Sequence, residues 1–494
     1  MKKFLVSIDQ GTTSTRSILF DIKGNILFTS QFEFKQYFPK NGWVEHDPNE
    51  IFETTIKSIE NVIKELNIKA EEISVAGITN QRETIVAWDS TSGKPIYNAI
   101  VWQDRRTESF CNQLREEGYS DKIQKKTGLV IDPYFSATKI KWIIDNVNGA
   151  KHLLDEGKLL VGTIDSWLIW KLTKGQSHLT DVTNASRTML YNINEDKWDE
   201  ELLKLFSISR EILPNVNDSA DEFGYIDKSF FGSDIMIGGV AGDQQAASIG
   251  QLCFKSGMMK STYGTGCFLL MNTGNDIIIS KSNLLSTTAY KINSNKNFAL
   301  EGSIFNAGTV VQWMRDELGF FNKASEVEQL AQKSNNNIFF IPAFTGLGAP
   351  YWKSDIRGTI QGITRDTTKS DIALAALKSI CFQTKDLFNC ILEDSRITQS
   401  DFIMRVDGGM SQNNLMMQLL ADILGIRVER PIHQESTALG AAYLAGIQAG
   451  IYKGIADLDD LWKTDRLFEP SPSQIMDDEY EEWIKVINNL INYG

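Results

Sequence analysis

Cysteine and histidine are scarce in this chain, and neither is arranged as a cluster. The five cysteines are widely spaced and form no CxxC pair, which is typical of reduced thiols inside a cell and argues against a disulfide framework. The four histidines are equally scattered, and none needs a catalytic role. The positions are Cys111, Cys253, Cys267, Cys381 and Cys390, and His46, His152, His178 and His433.

Excess positive charge and long apolar runs are also missing. Fifty lysines and arginines against 63 acidic residues give a net charge of −13, and without a basic patch this excludes nucleic acid as an expected partner. The apolar stretch at the N-terminus ends at Asp9, which is too short for a signal peptide. We therefore expect neither secretion nor membrane insertion, and predict a cytoplasmic protein.

The rest of the composition is that of a globular protein. Of the 494 residues, 42% are apolar and 23% are charged, an ordinary mixture for a folded soluble chain. Strand-like and helix-like patterns alternate, which favours an α/β architecture. An apolar strand near the middle, followed by a carboxylate, resembles the start of the chain, so we predict two halves with a boundary near residue 245. The strands are expected at 4–8, 17–20, 73–78, 235–241 and 402–406, and the helices at 48–68, 371–392, 413–424 and 435–450.

Four small-residue turns follow predicted strands. Residues 9–16 combine a glycine, four hydroxyls and an arginine, groups that donate hydrogen bonds to phosphate oxygens. Residues 261–266 repeat the hydroxyls and glycines, and a Gly-Gly turn at 408–409 precedes a helix. Asp243 lies where a strand passes into a helix. Each alone has an ordinary explanation, a solvated turn or a helix N-cap, and no GxxxxGK[ST] sequence supports a P-loop.

A second group of motifs suits a small polyol. Residues 77–83 end a strand in amide, guanidinium and carboxylate groups, which can both donate to and accept from adjacent hydroxyls. Trp102 and Tyr134 stand in the runs 99–106 and 128–139, where they could cover the C–H face of a polyol. The alternatives are an exposed ion pair and ordinary core aromatics.

The order and separation of these motifs resemble the actin-like ATPase superfamily, and in detail the carbohydrate kinases named for their FGGY motif. The resemblance extends from Asp9 to about Leu444 and includes residues 42–48, 77–83, 165–168 and 346–352. It implies two actin-like (ribonuclease H-like) domains, 1–245 and 246–494, with a nucleotide and substrate cleft between them. The first domain would hold the acceptor and the first phosphate loop, and the second domain the other phosphate loop and the adenosine.

The closest resemblance is to members of this family that phosphorylate glycerol. It implies transfer of the γ-phosphoryl group of ATP to the 3-hydroxyl of glycerol, with Asp243 as general base and Mg²⁺ beside Asp9, because hard oxygen ligands suit that ion. The implied acceptor contacts are Arg82, Glu83, Tyr134, Asp243 and Gln244, with Trp102 and Phe268 against the carbon backbone. The implied nucleotide contacts are Thr12, Thr13, Ser14, Arg16, Thr265, Gly308, Gln312, Gly409 and Asn413.

Three alternatives and one regulatory question stay open at this point. A pentulose or gluconate kinase is opposed by the run 80–83, whereas a nucleotide-switched filament or clamp, or a polyol sensor without turnover, would share only the fold. The resemblance implies a homodimer or homotetramer. Some bacterial members are inhibited by fructose 1,6-bisphosphate or activated by phosphorylation of a histidine. The corresponding stretch 223–237 contains no arginine and has Ser229 at the histidine position, so we predict that both controls are absent.

Overall fold

The described part of the chain folds into two larger mixed β-sheets, a five-stranded antiparallel sheet and three two-stranded sheets, flanked by helices. The computed structural model describes residues 3–353, 355–395, 397, 402–471 and 474–493. The strands are β1 Phe4–Gln10, β2 Ser14–Asp21, β3 Ile26–Glu33, β4 Gln36–Tyr37, β5 Glu45–His46, β6 Ile73–Asn80, β7 Ile85–Asp89, β8 Ala99–Ile100, β9 Leu159–Thr163, β10 Leu179–Asp181, β11 Tyr191–Asn192, β12 Lys197–Trp198, β13 Asn215–Asn217, β14 Tyr225–Ile226, β15 Ile235–Gly242, β16 Met258–Tyr263, β17 Cys267–Gly274, β18 Leu285–Ile292, β19 Asn295–Ile304, β20 Phe339–Ile341, β21 Thr359–Gln361, β22 Ile403–Asp407, β23 Val428–Pro431 and β24 Thr464–Phe468.

The helices vary from single turns to more than seven turns. They are α1 Pro48–Glu65, α2 Glu108–Glu116, α3 Ser120–Thr127, α4 Ser136–Asn146, α5 Ala150–Asp155, α6 Ile164–Leu172, α7 Val182–Ala185, α8 Glu200–Phe206, α9 Lys228–Phe231, α10 Asp243–Gly250, α11 Gly308–Asp316, α12 Val327–Ala331, α13 Lys369–Ser395, α14 Asn414–Leu424, α15 Ser436–Gln448 and α16 Gln474–Tyr493. Among the described residues, we find no helix with the length and apolar character needed to span a membrane.

The predicted local elements are confirmed, with ends that differ by no more than three residues. The start of helix α1 could be predicted because its capping residues are local in sequence. The Asp47 side chain accepts a hydrogen bond from the backbone N–H of Asn49 at 2.8 Å, and Pro48 occupies the first helical position. Both features favour a helix N-terminus.

The first sheet has the strand order β14-β15-β6-β1-β2-β3. Strand β1 runs antiparallel to β2 across the loop 11–13 and parallel to β6, and β6 runs parallel to β15. The carboxyl ends of β1, β6 and β15 therefore lie at one edge of the sheet, where Asp9 stands near the end of β1 and Arg82 and Asp243 follow β6 and β15.

The second sheet repeats this plan in the order β18-β19-β17-β16-β22-β23-β24. Strand β16 is antiparallel to β17 and parallel to β22, as β1 is to β2 and β6. The predicted repeat was therefore placed on the wrong strand: β15, which resembles the start of the chain, belongs to the first sheet, and the counterpart of β1 is β16. A short apolar strand with an aspartate near its end occurs at β1 and at β15. However, β16, and not β15, shares with β1 the tight antiparallel hairpin to the next strand. The boundary at residue 245 falls inside α10 and stays a prediction.

Helices α10 and α15 cross in close contact between the two sheets. A Cβ atom added at Gly440 would lie 1.8 Å from the carbonyl oxygen of Ala246, and one added at Gly250 would lie 1.9 Å from that of Ser436. Only glycine permits backbones to approach so closely. Apolar side chains from both halves, including Ile18, Val75, Ala246 and Ala442, form one buried cluster around this crossing.

Candidate active site

Arg82 is the centre of a buried ion-pair network at the edge of the first sheet. Its Nε lies 3.1 Å from Oδ1 of Asp243. Its Nη1 and Nη2 donate to the two carboxylate oxygens of Glu301 at 2.5 and 3.0 Å. Arg82 and Glu301 are fully or almost fully buried, whereas the Asp243 side chain is 33% exposed. Asp243 is therefore the solvent-accessible carboxylate of this pair of acidic residues.

Asp243 is the first residue of α10, directly after β15. Its Oδ1 accepts the backbone N–H of Gln244 at 2.7 Å. Burial raises the pKa of the Asp243 carboxyl, and the charges of Arg82 and Lys260 oppose this effect. A carboxylate whose pKa is raised while one face stays accessible is suited to accept a proton from an alcohol.

The network continues through Arg187 to Glu83. Arg187 is fully buried; its Nε donates to Oε1 of Glu83 at 2.6 Å and its Nη2 donates to Oε1 of Glu301 at 3.0 Å. Burial raises the pKa of Glu83, with Arg187 and Arg82 opposing. At Glu301 the same burial is outweighed by Arg187 and Arg82, which lower its pKa to about 2. Glu301 belongs to the second half of the chain, so the network joins both halves.

Aromatic rings form one wall beside this network. The ring centroids of Trp102 and Tyr134 are 5.7 Å apart, and those of Trp102 and Phe268 are 6.4 Å apart. The indole Nε1 of Trp102 donates to Oγ1 of Thr12 at 3.0 Å, which joins this wall to the first small-residue loop. Buried Lys139 donates to the backbone carbonyl oxygens of Pro133 and Tyr134 at 3.1 and 2.5 Å. The predicted acceptor residues are therefore neighbours in space.

The first small-residue loop, which we predict to bind phosphate, is supported by charged side chains. Arg16 donates from Nη2 to Oδ2 of Asp9 at 2.6 Å and from Nη1 to Oε2 of Glu435 at 2.8 Å. Glu435 directly precedes α15, so this pair ties β2 to the second half of the chain. Ser14 accepts from Gln31 at 3.1 Å, and Thr13 is exposed.

The second small-residue loop, also predicted to bind phosphate, lies at the β16-β17 hairpin. The backbone N–H of Gly308, which begins α11, donates to the carbonyl oxygen of Gly264 at 2.9 Å. The carbonyl oxygen of Thr265 accepts from the N–H groups of Ala307 and Thr309. Thr265 and Gln312 are exposed. The hairpin and the start of α11 thus form one unit whose polar side chains face solvent.

The Gly-Gly turn after β22 presents open backbone and one unsatisfied amide. Gly408 has φ +83°, and a Cβ there would lie 2.5 Å from the carbonyl oxygen of Tyr263, so the turn requires glycine. Around Gly409, no atom of the described residues lies within 4 Å of a Cβ position. Asn413 caps α14 by accepting the N–H of Met416 at 2.9 Å. Its buried Nδ2 has no hydrogen-bond partner among the described residues, which suits a donor reserved for a ligand.

A magnesium ion would find one carboxylate here rather than a cage. Asp9 is buried at the end of β1, and Arg16 holds its Oδ2. In the part of the chain that the structure describes, no group of three or more histidine, cysteine or acidic side chains could hold a metal. Mg²⁺ commonly uses one or two carboxylates together with substrate phosphates and water, so the free oxygen of Asp9 fits that pattern.

Four residues of the site were missed in the sequence: Arg187, Glu301, Lys260 and Glu435. None belongs to a local motif. Arg187, Glu301 and Glu435 find partners more than 100 residues away, whereas the partners of Lys260 lie within 16 residues of it. One signal was available for Glu301 and Lys260, since each is a charged residue that directly follows apolar residues within a strand, 298–300 and 258–259. Such residues are rarely buried without a partner.

Comparison with known families identifies the chain. The model of the N-terminal domain of the FGGY family of carbohydrate kinases matches residues 4–250, and the model of its C-terminal domain matches residues 259–449. The chain belongs to the FGGY family of carbohydrate kinases. The family predicted from the sequence and its two-domain α/β fold are thereby confirmed.

Individual relatives are similar over nearly their whole length. The chain is 51% identical to a glycerol kinase of Marinomonas sp. over 493 residues, with 99% of each chain covered. It is 53% identical to a glycerol kinase of Petrotoga mobilis, with 100% of this chain and 99% of the relative covered. Among solved structures, glycerol kinase of Plasmodium falciparum with ADP superposes with a TM-score of 0.92 at 38% identity, covering 99% of this chain and 98% of the other.

Proposed function

We propose that the protein transfers the γ-phosphoryl group of ATP to the 3-hydroxyl of glycerol, giving sn-glycerol 3-phosphate and ADP. The observation that carries the proposal is Asp243, an accessible carboxylate with a raised pKa, paired at 3.1 Å with buried Arg82 beside an aromatic wall. Support comes from relatives of 51% and 53% identity that carry the name glycerol kinase.

The acceptor is positioned by charged and aromatic groups together. Arg82 and Glu83 provide a donor and an acceptor to adjacent hydroxyls, and Tyr134 and Gln244 add further polar contacts. Trp102 and Phe268 cover the carbon backbone. Because the network fixes these side chains before glycerol arrives, little ordering is left to the binding step.

Phosphoryl transfer then needs one proton acceptor and stabilisation of charge. The 3-hydroxyl oxygen forms a bond to the γ-phosphorus while the bond from that phosphorus to the bridging oxygen of ADP breaks. Asp243 takes the hydroxyl proton, a role typically worth about 10² to 10⁴ in rate. In a loose transition state charge spreads over the equatorial oxygens, so positioning and electrostatic stabilisation do most of the work.

The nucleotide is assigned to the two hairpin loops and the Gly-Gly turn. Thr12, Thr13, Ser14 and Arg16 would contact the phosphates from the first half. The contacts from the second half would be Thr265, Gly308, Gln312, Gly409 and Asn413. Asp9 would hold Mg²⁺, which neutralises phosphate charge when bound.

An ADP-release assay tests the proposal directly. We expect ATP consumption that depends on glycerol, with little turnover when xylulose, gluconate or no acceptor is present. Preference for a pentulose or gluconate would assign the protein to another activity of the family. Glycerol binding without ADP release would support a sensor, and acceptor-independent nucleotide cycling would support a filament or clamp.

The setting of this reaction is proposed on sequence grounds. We expect a cytoplasmic homodimer or homotetramer without a nucleic-acid partner, given the net charge of −13 and the family resemblance. Light scattering of the purified protein measures the oligomeric state.

A further inference from the structure

Lys260 is a buried lysine that the mechanism above does not use. It lies on β16, opposite Leu270 of β17 and beside Arg405 of β22. Its side chain is fully buried. Burying an ammonium group costs free energy unless hydrogen bonds and nearby negative charge compensate for the lost water. We therefore expect specific groups to hold the Lys260 ammonium in place.

The ammonium group contacts three oxygen atoms around the acceptor site. Nζ donates to Oε1 of Gln244, to Oγ1 of Thr262 at 3.0 Å and to the backbone carbonyl oxygen of Phe268 at 3.3 Å. An ammonium has three N–H donors, and these three acceptors match that number. Gln244 and Phe268 are both proposed glycerol contacts, and they lie on different elements, α10 and β17.

We propose that Lys260 is a positioning residue for the acceptor, which fixes Gln244 and the Phe268 main chain relative to each other and supplies positive charge behind Asp243. The inference rests on the proposed glycerol kinase activity and adds a residue to it. Without Lys260, the Gln244 amide is free to rotate away from the hydroxyl that it would orient, and the segment carrying Phe268 loses its tie to α10.

The charges around Lys260 support the second part of this role. All three oxygen atoms that it contacts belong to uncharged groups, so its charge acts on carboxylates at longer range. Burial lowers the pKa of Lys260, opposed by Asp407, Asp243 and Glu301, with Arg82 lowering it further. In the opposite direction, Arg82 and Lys260 both hold down the pKa of Asp243. Removing Lys260 should therefore raise the pKa of the general base.

Lys260→Met tests both parts, because methionine keeps an unbranched side chain and removes the charge. We expect the KM for glycerol to rise about 10- to 100-fold, the effect of losing hydrogen bonds from a charged group, while the KM for ATP changes less than about threefold. The acid limb of the kcat/KM profile for glycerol should move to higher pH by up to about one unit. Lys378→Met is the control, because Lys378 is also buried but pairs with Glu479 of α16.

A double-mutant cycle separates positioning from general damage. If Lys260 acts through Gln244, Lys260→Met combined with Gln244→Ala should raise the glycerol KM little beyond the larger single effect. Fully additive effects together with an unchanged acid limb would overturn the proposal. Equal losses for glycerol and ATP, or a glycerol KM within about twofold of wild type, would also overturn it.

A milder variant covers the case in which Lys260→Met does not fold. Thr262→Val removes the hydroxyl that holds Nζ at 3.0 Å while the lysine stays in place, and we expect a glycerol KM raised a few-fold with ATP binding retained. An unchanged glycerol KM would contradict the proposal. If wild-type protein itself shows no glycerol-dependent ADP release, the proposed function fails before Lys260 is tested.

Discussion

The proposed acceptor side and the proposed nucleotide side of the site are built by different means. On the acceptor side, buried charged side chains already hold each other, as in the chain of ion pairs from Asp243 through Arg82 and Glu301 to Arg187. On the nucleotide side, exposed side chains such as Thr265 and Gln312 stand on a hairpin and on α11, which backbone hydrogen bonds hold together. The contrast indicates that acceptor geometry is set by the folded protein, whereas nucleotide contacts are completed by the ligand.

This difference predicts unequal effects of substitution. A change within the acceptor network leaves a buried charge without its partner, which is costly and disturbs its neighbours. A change on the nucleotide side removes one of several contacts to a large ligand. The four predictions that follow run from the largest expected effect to the smallest.

The largest effect is expected for Asp243→Asn. The asparagine keeps the shape of the side chain but cannot accept the proton from the 3-hydroxyl, so turnover should fall about a hundredfold or more. Nucleotide binding should remain measurable by calorimetry. Single-turnover rates within a few-fold of wild type would remove Asp243 from the role of general base.

Glu301→Gln tests whether the part of the ion-pair network that the sequence did not reveal contributes to glycerol kinetics. Arg82 and Arg187 both lose the charge that faces them, so we expect kcat/KM for glycerol to fall at least tenfold and the free energy of unfolding to fall by roughly 3–5 kcal/mol. Glu479→Gln breaks the Lys378 pair at 2.6 Å and serves as the matched control. Similar glycerol kinetics in the two variants would show that the network only stabilises the fold.

Asn413→Ser addresses the nucleotide side. Serine can still cap α14, but it lacks the buried Nδ2 donor that has no partner in the described parts of the chain. The KM for ATP should rise several-fold, the usual value of one neutral hydrogen bond, with glycerol KM unchanged. Asn389→Ser, which removes a donor to Tyr480 at 3.0 Å, is the control. Equal ATP kinetics in both variants would argue against an Asn413 contact.

The last prediction is that fructose 1,6-bisphosphate has no effect on activity. In the stretch 223–237, Ser229 is exposed on the short helix α9, and its backbone N–H donates to Asp227 at 2.9 Å. Steady-state glycerol phosphorylation should be the same with and without millimolar fructose 1,6-bisphosphate. Saturable inhibition of more than half the activity would show that other residues replace the missing arginine.

The secondary structure and the acceptor motifs could be predicted from the sequence because the patterns that indicate them lie within short stretches of chain. Strands such as β1 and helices such as α1 follow from apolar periodicity and from caps within a few residues. The pairing of Arg82 with Glu301 could not be read in this way, since 219 residues separate them and pairing is decided by how the halves meet. The misplaced repeat at β15 has the same origin, because sheet membership depends on a parallel partner that sequence spacing does not specify.

The crossing of α10 and α15 connects the proposed acceptor side of the site to the proposed nucleotide side. Helix α10 begins with the proposed base, Asp243, and Glu435, directly before α15, holds Arg16 beside the proposed first phosphate loop. The spacing of these two helices is set by glycines that allow less than 2 Å for an added atom. We therefore expect the spacing between Asp243 and Arg16 to depend on a backbone contact made by residues outside the proposed chemistry, and to be retained when other side chains of the proposed site are substituted.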